Sequence, residues 1–185
     1  QVNGRALLHA LHTTDAKALG SGEECLANIQ ATESFPDLPC WLIRDAENPW
    51  SGPLPKVIDG HFDARLEKAP RTPFPRDIRA RIEAQAAMLL IFTSGTTGLP
   101  KAARYSHMRW MSSGDVMEVT LQATCDDVFY CCLPLYHGAA ATSVTSTALR
   151  AGAAIVVRRK FSVREFWKDV ARHRISIFQY IGEIC

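Results

Sequence analysis

Apolar residues recur along this chain first at helical and then at strand spacing, and the alternation predicts an α/β fold. Arg5 to His12 has helical spacing, and Ala16-Lys17-Ala18-Leu19 reads as a short strand ended by Gly20-Ser21-Gly22. A helix around Glu23 to Gln30 follows, then a strand at Cys40-Trp41-Leu42-Ile43. This order favours a parallel sheet with helical crossovers. Residues 46–76 carry many prolines and charges and read as loop, with one short helix near Phe62 to Lys68. A helix over Arg76 to Ala84 is expected next. The unbroken apolar run Ala86-Ala87-Met88-Leu89-Leu90-Ile91-Phe92 then predicts a buried strand.

Beyond Lys101 a short strand runs to Tyr105, and Ser106 is placed to cap a helix reaching about Leu121. Asp127 to Cys132 alternates as a strand, a helix covers about Gly138 to Ala151, and Ala153-Ala154-Ile155-Val156-Val157 is a further strand. Ser162-Val163-Arg164-Glu165 has the form of a capping box, with Phe161 and Phe166 at the staple positions. In the helix it opens, Val163, Phe166, Trp167, Val170 and Ala171 share one face, which is expected to pack on a sheet. Ile175 to Tyr180 closes as a strand. No internal repeat or low-complexity segment is present.

Composition narrows the function classes. With 185 residues, 47% hydrophobic and 22% charged, the chain is globular and long enough to bury about 70% of its unfolded surface. A net charge of +2 gives no general reason to bind nucleic acid. The six cysteines contain no Cys-x-x-Cys pair. Cys131 and Cys132 fall within a strand pattern as buried thiols, which suits a reducing, cytoplasmic compartment. The longest uncharged stretch, Val128 to Leu149, holds Pro134, His137, Gly138 and several hydroxyl residues, too polar for a bilayer helix.

The chemistry concentrates at Thr93-Ser94-Gly95-Thr96-Thr97-Gly98-Leu99-Pro100-Lys101. Glycines let the backbone turn tightly and approach a ligand. Exposed amides then form an anion-binding concavity, to which hydroxyls add donors and Lys101 a mobile positive charge. A plain surface turn explains Gly95, Gly98 and Pro100, but not the run of hydroxyls followed by a lysine. The string is not a Walker A sequence, which needs Gly, four residues, then Gly-Lys-Ser/Thr; here Ala102 follows the lysine.

The same string resembles the phosphate-binding loop of the adenylate-forming superfamily of acyl-CoA synthetases, luciferases and peptide-synthetase adenylation domains. Lys101-Ala102-Ala103-Arg104 is more like the very-long-chain acyl-CoA synthetases, also called fatty-acid transport proteins. Leu133-Pro134-Leu135-Tyr136-His137 and Phe178-Gln179-Tyr180-Ile181-Gly182-Glu183-Ile184-Cys185 resemble that branch's later blocks, as does Arg158-Arg159-Lys160-Phe161-Ser162. Before about residue 87 the likeness rests on Arg5, Leu7-Leu8 and Asp15 to Leu19.

The resemblance implies part of a large N-terminal domain of mostly parallel sheets with flanking helices. Residues 1–85 would form an early αβ subdomain and proline-rich connection, and 86–185 the phosphate-loop and acyl-site portion. It implies activation of a long or very long fatty acid by ATP through an acyl-adenylate, then transfer to coenzyme A. Thr93, Ser94, Gly95, Thr96, Thr97, Gly98 and Lys101 would bind the phosphates, Thr96 would help ligate Mg²⁺, and Tyr136, His137, Gln179, Tyr180, Gly182 and Glu183 would line the acyl pocket. Without the resemblance, His137 simply ends a strand and bonds a carbonyl, and Glu183 is equally a solvated charge. His107 reads as a first-turn helix residue. The basic set Arg158, Arg159, Lys160, Arg164, Lys168, Arg172 and Arg174 reads first as a solvated face, and more sharply as a contact for coenzyme A phosphates or anionic headgroups on the cytosolic side of a membrane. The family's adenine, ribose, hinge and C-terminal lysine elements fall beyond Cys185, so the chain alone is expected to be an inactive piece of a longer ligase. The competing expectations are a ligase for short or aryl acids, and a non-catalytic module that binds nucleotide or fatty acid.

Overall fold

In the computed structural model, which describes residues 4–93 and 99–182, the chain divides into two compact units. One takes the chain up to Arg81 together with Phe92–Ala102; the other takes Ile82–Ile91 and the chain from Ala103 onward.

The first unit opens with α1 (Gly4–Thr13) and turns at Asp15, whose φ is +48°. Its sheet has β1 (Leu19–Gly22), β2 (Cys40–Ile43) and β3 (Gly60–His61), all parallel in that order, with Leu19 opposite Cys40 and Trp41 opposite Gly60. β1 therefore begins where it was expected to end. Ala16 is still tied to α1 through its N–H to the Leu11 carbonyl at 3.0 Å, so the ladder starts later and runs through the glycines. A 3₁₀ turn (Glu23–Cys25) leads into α2 (Leu26–Gln30), whose Leu26 and Ile29 bury against Cys40, Leu42 and Ile58. α3 (Phe62–Lys68) forms at the expected residues. The helix expected over Arg76 to Ala84 is only a 3₁₀ turn (Arg76–Arg79). Ile78 and Ile82 remain exposed, and a short helix that buries no face has little to hold it.

β4 (Ala87–Thr93) and β5 (Lys101–Ser106) pair as a two-stranded sheet. The strand is where the apolar run placed it, but it is not buried: Met88 and Leu90 are exposed, because a two-stranded ribbon leaves a face uncovered. In the second unit, Ser106 caps α4 (His107–Leu121) by accepting the Arg109 N–H at 3.2 Å. The second unit's parallel sheet has the order β7 (Ala154–Val157), β6 (Val128–Cys131), β8 (Ile177–Phe178). Its crossovers are a helix of residues 139–151 that ends as α5 (Thr145–Ala151), and α6 (Val163–His173). Phe129, Cys131, Leu133, Ala140, Val144 and Ala148 make its core.

α6 corrects the sequence reading twice. Its Ser162 side chain makes no capping bond; the Ser162 carbonyl instead takes the N–H groups of Glu165 and Phe166, and Glu165 meets Lys168 at 2.9 Å. The Phe161–Phe166 staple does form, with ring centroids 5.5 Å apart. The buried face is also rotated. Val163 and Trp167 are exposed, whereas Asp169 is buried, drawn inward by Arg158 and Tyr130.

Candidate functional site

Both ends of the predicted phosphate loop are held. Thr93 Oγ1 donates to the Lys101 carbonyl at 3.3 Å, which ties the last residue of β4 to the first of β5. Ser94, Gly95, Thr96, Thr97 and Gly98 lie outside the described residues, and with them the expected Mg²⁺ ligand Thr96. Lys101 is exposed. One contact was not anticipated from sequence: His9 on α1 lies with Nε2 2.9 Å from the Pro100 carbonyl. A carbonyl only accepts, so that nitrogen carries the proton. A lone histidine on a helix gives no sequence signal of this kind; only the fold brings it to the residue before Lys101. No cluster of three His, Cys, Asp or Glu occurs among the described residues.

The second feature lies wholly in the second unit. A cavity of about 230 Å³ is lined by Met117 and Leu121 of α4, Phe129 of β6, Ser143 and Val144, and the run Ile177-Phe178-Gln179-Tyr180. Ser143 and Val144 sit in a π-helical stretch (Ala139–Val144) at the start of the crossover. Its cause is local. The Ala141 carbonyl accepts from both Trp110 Nε1 and Thr145 Oγ1, each at 2.7 Å, and Thr142 Oγ1 bonds the Gly138 carbonyl at 2.6 Å. Side chains that enter the backbone ladder in this way widen it. α4 approaches closely enough to shape the cavity because Gly114 faces Ser146: a Cβ there would lie 2.3 Å from Ser146 Oγ and 3.0 Å from its carbonyl carbon.

Of the expected acyl-pocket residues, Gln179 and Tyr180 line this cavity. The Oε1 atom of Gln179 is buried and has no hydrogen-bond partner among the described residues. Tyr136 and His137 do not line it. They are exposed in the turn before the crossover helix, where His137 Nδ1 accepts the Ala139 N–H at 3.3 Å. Gly182 is exposed, and a Cβ there meets no described atom within 4 Å. Glu183 lies outside the described residues.

Behind the cavity, Phe178 continues into an aromatic cluster. Its ring lies 4.8 Å from Phe166, 5.6 Å from Tyr130 and 6.1 Å from Phe161. Asp169 anchors this cluster: it accepts from Tyr130 Oη at 3.2 Å and pairs with Arg158 through Nε at 2.8 Å and through Nη2. Arg158 holds the Asp169 carboxyl below its ordinary range, and burial pushes the Tyr130 hydroxyl up. The first of the basic residues is thus a structural partner, while Arg164 and Lys168 stay at the surface. In the first unit, Glu23 plays a similar part. Its Oε2 accepts the N–H groups of Asp45 at 2.8 Å and Trp50 at 3.1 Å, and its Oε1 lies 3.3 Å from His61 Nδ1. The Asp45 amide above all holds its pKa down. Burial raises the Cys40, Cys131 and Cys132 thiols, which leaves them unreactive.

Comparison with known proteins places this arrangement. The family described as AMP-binding enzyme matches residues 2–185. Long-chain fatty acid transport protein 6 of Mus musculus is 34% identical over 97% of this chain and 28% of its own length. The medium/long-chain-fatty-acid–CoA ligase FadD6 of Mycobacterium tuberculosis is 41% identical over 56% of the chain and 18% of its own length. The chain therefore spans under a third of the length of either relative. The crystal structure of the N-terminal domain of FACL13 from M. tuberculosis superposes with a TM-score of 0.71 at 19% identity, over 96% of this chain and 41% of that one. At that identity the likeness concerns the fold.

Proposed function

We propose, since this chain belongs to the AMP-binding enzyme family, that it is the phosphate-loop and acyl-site portion of a long- or very-long-chain fatty acid–CoA ligase. The observation that carries the reading is the likeness to a long-chain fatty acid transport protein over nearly the whole chain. In the proposed reaction a fatty-acid carboxylate oxygen attacks the α-phosphorus of ATP, the bond to the β-phosphate breaks, and pyrophosphate leaves. The sulfur of coenzyme A then attacks the acyl carbon, the thiol proton is lost, and AMP departs. A carboxylate is a poor electrophile, so the protein's work is to align anionic groups and to offset the charge on the departing pyrophosphate.

The residues divide that work. Ser94, Thr96, Thr97 and the amides of Gly95 and Gly98 would cradle the β- and γ-phosphates, with Lys101 opposite their charge. Thr93 and His9 would fix the two flanks of the loop through the bonds to Lys101 and Pro100. Thr96 and the phosphate oxygens would hold Mg²⁺, a hard ion that supplies charge neutralisation. The cavity with Gln179 and Tyr180 would receive part of the acyl chain, and Tyr136, His137, Gly182 and Glu183 would border its approach. No helix among the described residues is long and apolar enough to cross a membrane. Exposed Trp167 beside Arg164 and Lys168 supports a peripheral contact with an anionic membrane surface.

Incubating the natural full-length protein with ATP, coenzyme A and acids from short to very long tests the reading. Acyl-CoA and AMP are expected from long acids. Thioester only from short or aryl acids, or from none, overturns it.

A further inference from the structure

We infer that Trp110 is a positioning residue for the acyl chain: its indole N–H holds the crossover helix in the π register that places Val144 on the cavity wall. This rests on the ligase reading above and names what shapes its acyl site.

The hydrogen bonds of the crossover show where the register changes. In an α-helix the Thr145 N–H would bond the Ala141 carbonyl, four residues back. Here it bonds the carbonyls of Ala140 and Thr142 instead. The Ala141 carbonyl, passed over by that amide, accepts from Trp110 Nε1 and Thr145 Oγ1, each at 2.7 Å. A carbonyl oxygen has two lone pairs, and these two donors fill them. The donors differ in weight. A threonine hydroxyl bonds the carbonyl four residues back in ordinary helices too, bending them without changing their register. The indole N–H comes from α4 and competes with the backbone for the same oxygen. Removing it frees a lone pair for the Thr145 amide, which restores the α register.

The register matters because of the sequence around it. In Thr142-Ser143-Val144-Thr145-Ser146-Thr147, Val144 is the one apolar residue among hydroxyls. It is buried with Phe129 and Leu133 in the core, and it lines the cavity with Met117, Leu121 and Phe129. A helix turns about 100° per residue, so a slip of one position puts a hydroxyl side chain where Val144 stands. The wall then loses methyl contact with any hydrocarbon in the cavity. π-Helical turns recur at functional sites; here the turn gives an apolar wall to a helix otherwise rich in hydroxyls.

The test compares the natural full-length protein with Trp110→Phe, which keeps an aromatic ring and removes the donor. Contact between α4 and α5 does not need the indole, since Ser146 Oγ donates to the Trp110 backbone carbonyl at 2.6 Å; circular dichroism checks the fold. ATP–pyrophosphate exchange is measured with palmitate and with the shortest acid that supports it. The ratio of kcat/KM, long acid over short, is expected to fall about four-fold or more in the variant, the worth of one methylene-sized contact. The fall is expected in KM for the long acid, with KM for ATP unchanged. Val144→Thr should give the same profile, and the double variant should add little to either single one. An unchanged ratio, an equal loss on both acids, a raised KM for ATP, or additive effects overturns the inference. Independently of any variant, the Trp110 indole proton should exchange slowly with solvent by NMR, and free exchange overturns it. If no acid supports exchange, the ligase reading fails by itself. Calorimetric binding of palmitate then decides the role of Trp110: weaker binding in both single variants supports it, and equal binding, or none by wild type, overturns it.

Discussion

His9 and Asp169 show what single residues contribute. His9 reaches the Pro100 carbonyl from α1, so His9→Ala should loosen the flank of the phosphate loop next to Lys101. The expected result is a several-fold rise in KM for ATP in the full-length protein and a stability loss of only about 0.5–1.5 kcal/mol; an unchanged KM would show that the bond is only structural. Asp169 and Glu23 make a pH statement. Both carboxyls titrate below the ordinary range in the fold, near pH 4 when unfolded. A depressed carboxyl contributes stability above its unfolded pKa and loses it as pH falls through the folded value. Thermal midpoints should therefore hold from neutrality down to about pH 5 and drop below about pH 4. Asp169→Asn should lower the midpoint at neutral pH and flatten part of that acid fall; parallel curves for variant and wild type would contradict the assignment. None of this was legible in the sequence, because a buried acid and a distant histidine look like any other polar position until the chain is folded.

Elements were more legible where a long apolar face or a cap fixes them. The spacing in Cys40–Ile43 and Phe62–Lys68 placed β2 and α3 at their observed residues, and Ser106 marked the start of α4. The misses share a cause. β1 slid toward its glycines because pairing with β2, not local propensity, sets its register. The Arg76 helix shrank to a 3₁₀ turn, with Ile78 and Ile82 left exposed. The inward face of α6 turned because an ion pair outweighed the position of Val163 and Trp167. The π-helical stretch was read as ordinary helix, since its extra width comes from Trp110, a residue of another element. Gly114 is the sharpest prediction at this scale. Gly114→Ala should cost about 1–3 kcal/mol, because the added methyl strikes the Ser146 backbone and cannot be relieved by a rotamer change. Gly182→Ala, with no described atom within 4 Å, should change stability by less than about 0.5 kcal/mol. Equal effects, read by urea denaturation, would refute the close helix contact.

For the whole molecule, the family was written most plainly in the string Thr93 to Lys101. The family match over residues 2–185 agrees with it. Of the residues expected at an acyl site, the fold brings only some together. Gln179 and Tyr180 come together with α4 and the π-helical stretch in one cavity, while Tyr136 and His137 stand outside it; which side chains meet is a property of the packed unit, not of the motif. The claim on which the account rests is that Lys101 and its loop serve the activation of a fatty acid by ATP. Fatty-acid-dependent ATP–pyrophosphate exchange in the full-length protein, run without coenzyme A, measures that half-reaction directly. The account predicts exchange with long acids that falls by about ten-fold or more in Lys101→Ala. Exchange unaffected by Lys101→Ala, or none with any acid from a folded protein that binds ATP, would contradict it.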